Sequence, residues 1–229
     1  MELGIFLGEF LGLAAFVLIH GGILASMVLN GKADKGIAAL AVFLGISFGV
    51  FVALAGGSGA HINPAVTMAF LVIGGETGVT ALQALTYILG QLTGGFVGGL
   101  LLWVIYRPQF KESKDPLAPL TGNPEQKDVV QNLVTSFLGS FFLALLVIIT
   151  VTALDGSVLT PLAVGGAVLA AALAFGGATY AMVNVARDLG PRLTATALKL
   201  GAPTWGPALL LVLASLAGGA LAGFVATIL

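Results

Sequence analysis

Two asparagines carry the chemistry that this sequence offers most clearly. Asn63 is followed by Pro64 and Ala65, and Asn184 by Val185 and Ala186. Asparagine is a strong helix N-cap, and proline is favoured at the first helical position. The pattern predicts one short helix over about 64–73 and another over about 185–199. Each helix start brings roughly half a positive charge, and each asparagine amide has N–H donors to spare. Two such ends meeting head to head would repel cations and fix the orientation of passing water. A proton wire needs water that can reverse, so protons would be excluded too. A single Asn-Pro is ordinarily a turn; two asparagines at matched positions of a repeat point to a pore.

Few other residues could do chemistry. Glu9 lies within the first apolar stretch, where a carboxylate is costly and usually bonded. A proton-coupling role is its sharper alternative. His20, on the same stretch, reads as a satisfied core histidine, and Gln91 as a hydrogen-bonding partner of loop backbone. Arg187 follows Asn184 by three residues, with Asp188 beside it as a structural partner. There is no cysteine, so disulfides and thiolate chemistry are excluded. No catalytic, metal or cofactor site is expected, and no basic stretch suggests nucleic acid.

The elements that must position these residues are read from composition. Of 229 residues, 58% are hydrophobic and 8% charged. Soluble domains carry roughly a quarter charged residues, so lipid is the better solvent for this chain. The 33 glycines suit membrane helices, where small residues let backbones approach. Six stretches have about the 20 apolar residues that a span needs: 4–29, 37–56, 81–106, 129–153, 159–178 and 205–228. The segment 107–128 holds four prolines and eight charged residues and reads as a surface loop. Residues 57–74 and 177–200 are too short and interrupted to span. Irregular backbone at membrane depth survives where it is buried in protein or lines a cavity, so these two pieces are the expected pore lining.

An internal repeat supports that reading. Glu9-Phe10-Leu11-Gly12 resembles Ser136-Phe137-Leu138-Gly139, Asn63-Pro64-Ala65 resembles Asn184-Val185-Ala186, and Gly94-Gly95-x-x-Gly98-Gly99 resembles Gly218-Gly219-x-x-Ala222-Gly223. Three spans per half make the halves antiparallel. The expected fold is an all-α membrane protein of one channel domain: six transmembrane helices plus two re-entrant half-helices in an inverted 3+3 repeat. Repeat 1 runs over about 4–108 and repeat 2 over about 129–229. Sites in such repeats lie near the bilayer midplane.

The segment from Ser58 to Thr67 (SGAHINPAVT) resembles the first signature of the aquaporin, or major intrinsic protein, family. Asn184 to Arg192 (NVARDLGPR) resembles the second. Asp188 and the loop from Phe110 to Pro116 are similar to the glycerol-facilitator branch of Gram-positive bacteria. The resemblance covers almost the whole chain. It implies a multi-pass protein of the cell membrane, a homotetramer with one pore per protomer, passing glycerol, other small neutral solutes and water. It implies a selectivity filter formed by Arg187, Phe43, Ala172 and Ala181, with Tyr180 in the last place if the register shifts by one. It also implies pore-lining carbonyls at Gly59, Ala60, His61 and Ile62, with the His61 ring packed, and a structural role for Glu9.

This sequence departs from the family pattern in three ways. Val185 replaces the second-motif proline, so proline stacking between the loops is lost. Ser136 stands where the second-half glutamate is expected. All nine lysines and arginines fall on the face that the family places outside, the opposite of the positive-inside rule. The alternatives to a glycerol channel are a mainly water-selective channel, a secondary transporter coupled through Glu9 or Arg187, and a non-conducting membrane protein. Uptake that requires an ion gradient would identify the transporter, and a closed pore axis the last.

Overall fold

The computed structural model describes residues 2–32, 34–122, 128–154, 156–176 and 182–229. Among these the chain is helical throughout: α1 (Leu3–Val28), α2 (Lys35–Ala55), α3 (Pro64–Ile73), α4 (Ala81–Ile105), α5 (Arg107–Glu112), α6 (Val129–Leu154), α7 (Thr160–Gly176), α8 (Val185–Ala197) and α9 (Trp205–Ala226). Five of them are long and apolar enough to cross a membrane. The sixth expected span, α7, has 17 described residues, at the lower limit of what spans a bilayer. Large apolar side chains such as Leu82, Val104, Leu173 and Leu213 face outward, as a lipid-solvated surface requires.

Packing follows the repeat. Exchanging α1, α2, α3 and α4 for α6, α7, α8 and α9 maps the main helix contacts onto one another: α1–α2 onto α6–α7, and α1–α4 onto α6–α9. The half-helices cross over, with α3 against α9 and α8 against α4. The glycine pairs explain why. A Cβ on Gly94 would strike the Phe10 carbonyl, and one on Gly218 the Phe137 carbonyl, its repeat equivalent. One residue on, Gly95 lies against the Ala186 carbonyl and Gly219 against that of Ala65. Each pair thus seats a long helix of its own half and the half-helix of the other. Backbone-to-backbone approach replaces the hydrophobic driving force that lipid does not supply.

The segment after α4 differs from the surface loop that its composition predicts. Residues 107–112 form α5, and Phe110, Pro119, Leu120 and Thr121 are buried. The charged residues Arg107, Lys111, Glu112, Lys114 and Asp115 stay exposed, while this short apolar run turns inward.

Candidate functional site

The two half-helices begin as their caps dictate. The Asn63 Oδ1 accepts from the Ala65 N–H at 3.0 Å, and the Asn184 Oδ1 from the Arg187 N–H at 3.1 Å. Each amide also reaches across to the other loop. Asn63 Nδ2 donates to the Val183 carbonyl and Asn184 Nδ2 to the Ile62 carbonyl, both at 2.8 Å. Each asparagine therefore bonds the carbonyl of the residue just before its counterpart. One N–H of each amide is left over among the described residues. The two positive helix ends meet at this crossing.

The first loop is held in an unusual backbone path. Ala60 and Ile62 sit at φ 55° and 39°, where side chains, a β-branched one above all, are rarely found. Such strain persists only if the surroundings over-determine it. Glu9 does so. It is wholly buried and takes four donors: the Ser58 hydroxyl and His61 N–H on Oε1, the Ile62 N–H and Gln91 Nε2 on Oε2, at 2.7–2.9 Å. Gln91 thus meets the loop through the side chains of Glu9 and Thr67, not through loop backbone as its sequence position suggests. The His61 ring is stacked between Tyr87 and Phe70, 4.0 and 4.7 Å away, and contacts Thr67. Tyr87 accepts from the Gly59 N–H.

The second loop has a different scaffold. The Ser136 hydroxyl accepts from the Met182 N–H at 3.2 Å, and Ser215 on α9 donates to the Met182 carbonyl. Two hydroxyls from two helices do what one carboxylate does in the first half. Val185 takes the first helical position of α8 and packs with Met182, Ala208 and Leu211.

Each loop borders a cavity. The first loop faces a cavity of about 480 Å³, lined by Gly59, Ala60 and His61 together with residues such as Tyr87, Val147 and Val164. The second faces one of about 170 Å³. Its apolar walls are Phe16, Val42, Val168 and Ala172, and its polar groups include His20, Asn184 and Arg187. Arg187 is 9% exposed. Its Nη1 donates to the Leu120 carbonyl at 2.9 Å and its Nη2 to that of Pro119 at 3.3 Å, so the inward-turning segment holds the guanidinium. Its remaining edge faces His20 Nδ1. Asp188 borders the same cavity but pairs with Arg192, at 2.7 Å, not with Arg187. It also accepts from the Gly122 N–H, while Arg192 donates to the Gly122 and Thr204 carbonyls.

The family model for the major intrinsic proteins matches residues 2–226. The chain belongs to that family. It is 33% identical over 228 residues to the glycerol uptake facilitator protein of Streptococcus pneumoniae, covering 94% of each chain. To the probable glycerol uptake facilitator protein of Thermotoga maritima it is 36% identical over 199 residues, 83% of each. The solved structure of the aquaglyceroporin from Plasmodium falciparum superposes with a TM-score of 0.84 at 25% identity, over 98% of this chain and 95% of that one. Major intrinsic proteins are channels and not enzymes, and this member is a multi-pass protein of the cell membrane.

Against this family frame, the structure brings together Arg187 and Ala172 on one cavity wall. Phe43 is not on that wall; Val42 is. Phe43 is half-buried with its carbonyl against Gly165 of α7, one residue, or about 100°, away in helix phase. Tyr180 and Ala181 lie outside the described residues. The Ile62 carbonyl, expected to line the pore, is engaged by Asn184. The residue that sequence reasoning missed is His20. It is bonded, as expected of a core histidine, but its partner is Arg187 and its ring borders the cavity. Its position one turn after Phe16 is the only local signal.

Proposed function

We propose that this protein is a passive channel for glycerol, other small uncharged solutes and water, and that it excludes ions and protons. The observation that carries this is the asparagine crossing between two cavities. Among the described residues one N–H of each amide has no partner, at the point where two positive helix ends meet. Water there accepts from both and cannot relay a proton; a cation meets repulsion with no counter-charge. Arg187 keeps one Nη1 hydrogen free among the described residues, beside the apolar side chains of Phe16, Val42, Val168 and Ala172, which suits a polyol: a hydroxyl takes that donor while the carbons lie on the apolar wall. The relatives named for glycerol uptake support the same solute.

Arg187, Ala172 and the cavity's second-helix residue, Val42, form the filter in this reading, and Ala181, or Tyr180, is the fourth member that the family resemblance implies. Glu9, Gln91, Pro64, Val185 and Asp188 are scaffold, and the carbonyls of Gly59, Ala60 and His61 lead solute through the other half. The protomers assemble as homotetramers, each with its own pore. In this reading Glu9 is scaffold and does not couple transport to protons: its four partners are all donors, three of them on the first loop and the fourth, Gln91, on α4.

Proteoliposomes test the proposal. Stopped-flow light scattering should show fast osmotic shrinkage and rapid, non-saturating glycerol entry that is indifferent to a pH gradient. A requirement for an ion gradient, or permeabilities equal to empty vesicles, would refute it.

A further inference from the structure

We propose that His20 is an additional member of the solute filter, a specificity-determining side chain supplied by the first helix. This rests on the channel reading above. A guanidinium has five N–H donors in a planar fork. In Arg187 the loop carbonyls of Leu120 and Pro119 take one donor each from Nη1 and Nη2. The edge formed by Nε and the other Nη2 hydrogen converges on His20 Nδ1, at 3.3 and 3.1 Å. That edge is a pair of parallel donors, the arrangement that matches two neighbouring hydroxyls of a polyol. His20 occupies it.

The exchange has a definite chemical sense. An acceptor Nδ1 carries no proton, so the neutral ring carries its proton on Nε2. Nε2 has no hydrogen-bond partner among the described residues, and the ring borders the cavity. A solute passing this level therefore meets one imidazole donor and the last Nη1 hydrogen in place of paired guanidinium donors. The ring also takes up width. Its place is fixed by packing: α2 approaches so closely at Gly45 that a Cβ there would come within 2.9 Å of the His20 Cβ and 2.8 Å of the Phe16 ring. The Phe16 ring lies 5.5 Å from the imidazole. His20 thus tunes the filter away from vicinal polyols and toward water and solutes with a single acceptor. A histidine that merely filled the core would affect stability and leave this ratio alone.

The test is the ratio of glycerol to water permeability in proteoliposomes of the full chain, with a four-carbon polyol as a third solute. His20→Ala frees the Arg187 edge and should raise the glycerol-to-water ratio about fivefold, the worth of one net hydrogen bond, and admit the longer polyol. His20→Asn places an oxygen where Nδ1 stood and should keep the ratio near that of wild type. His20→Gln places its oxygen where Nε2 stood, leaves the edge free, and should behave like alanine. The Asn and Gln pair keeps the test decisive if the alanine variant fails to fold. Equal ratios in folded wild type and His20→Ala, or equal shifts in the Asn and Gln variants, would overturn the proposal while leaving the channel reading intact. A wild-type protein impermeable to both solutes would overturn the channel reading, and this one with it.

Discussion

Replacing Glu9 by glutamine tests how the first loop is held. The change is nearly isosteric, so the packing around α1 survives, but one of the two oxygens becomes an NH₂ group. Whichever oxygen is lost, a backbone N–H faces a donor: that of His61 on the Oε1 side, that of Ile62 on the Oε2 side. The Ser58 hydroxyl can rotate to accept; the peptide groups cannot. Leaving one buried donor unpaired costs about 1–3 kcal/mol, and bonds to a neutral oxygen are weaker than those to a carboxylate by about 1 kcal/mol each. With two such bonds remaining, the loss is about 3–5 kcal/mol. The strained Ile62 backbone at φ 39° then lacks part of what imposes it. For a chain of this size each kcal/mol moves the melting midpoint by roughly 2–4 °C, so a shift on the order of 10 °C is expected in detergent-solubilised protein. Water permeability should fall with it, because the loop carries the channel's backbone. A folded variant with an unchanged midpoint and unchanged permeability would refute the argument. A variant that lost only gradient-driven uptake would instead make Glu9 a coupling group.

Ser136→Ala removes a single neutral acceptor from the Met182 N–H, so its midpoint should drop by less than half as much as that of Glu9→Gln, measured in the same detergent. Val185→Pro should be tolerated, with a midpoint equal to or slightly above wild type. The first helical N–H has no partner within the helix, and Asn184 already has the extended backbone, φ −134° and ψ 102°, that a following proline demands. Arg192→Ala leaves the buried Asp188 carboxylate without its ion-pair partner, a loss of about 3–5 kcal/mol; the yield of folded protein on size exclusion should collapse. Gly219→Val would drive a side chain into the Ala65 carbonyl and displace α3, abolishing water permeability even where some folded protein is recovered.

The half-helices were legible in the sequence because their signals are local: a cap, a proline and a repeat that places them in register. The glycine pairs were legible for a related reason, since close helix approach needs small residues wherever it occurs. Rotational phase was not. Helix α2 is apolar nearly all round, as a membrane helix is, and amphipathicity that would orient a soluble helix is absent; hence Val42 and not Phe43 faces the cavity. The His20–Arg187 contact joins residues 167 apart, set by how α1, α2 and α8 assemble. Residues 119–122 were misread for a simpler reason. Proline-rich, charged surroundings average to a surface loop, while the function lies in two backbone carbonyls, which leave no mark in composition.

The crossed seating of the half-helices also bears on how the chain is made. The partner of α3 is α9, the last helix, whose end is roughly 150 residues further along the chain. At about 5–20 residues per second this is a wait of about 8–30 s. For most of it Asn63 lacks the Val183 carbonyl, and for nearly all of it Ala65 lacks Gly219. The first re-entrant segment thus emerges from the ribosome long before its berth exists. Without α9 the first half-helix loses its main packing partner and Ala65 the glycine that it lies against, so the helix made last completes the seat of the motif made first.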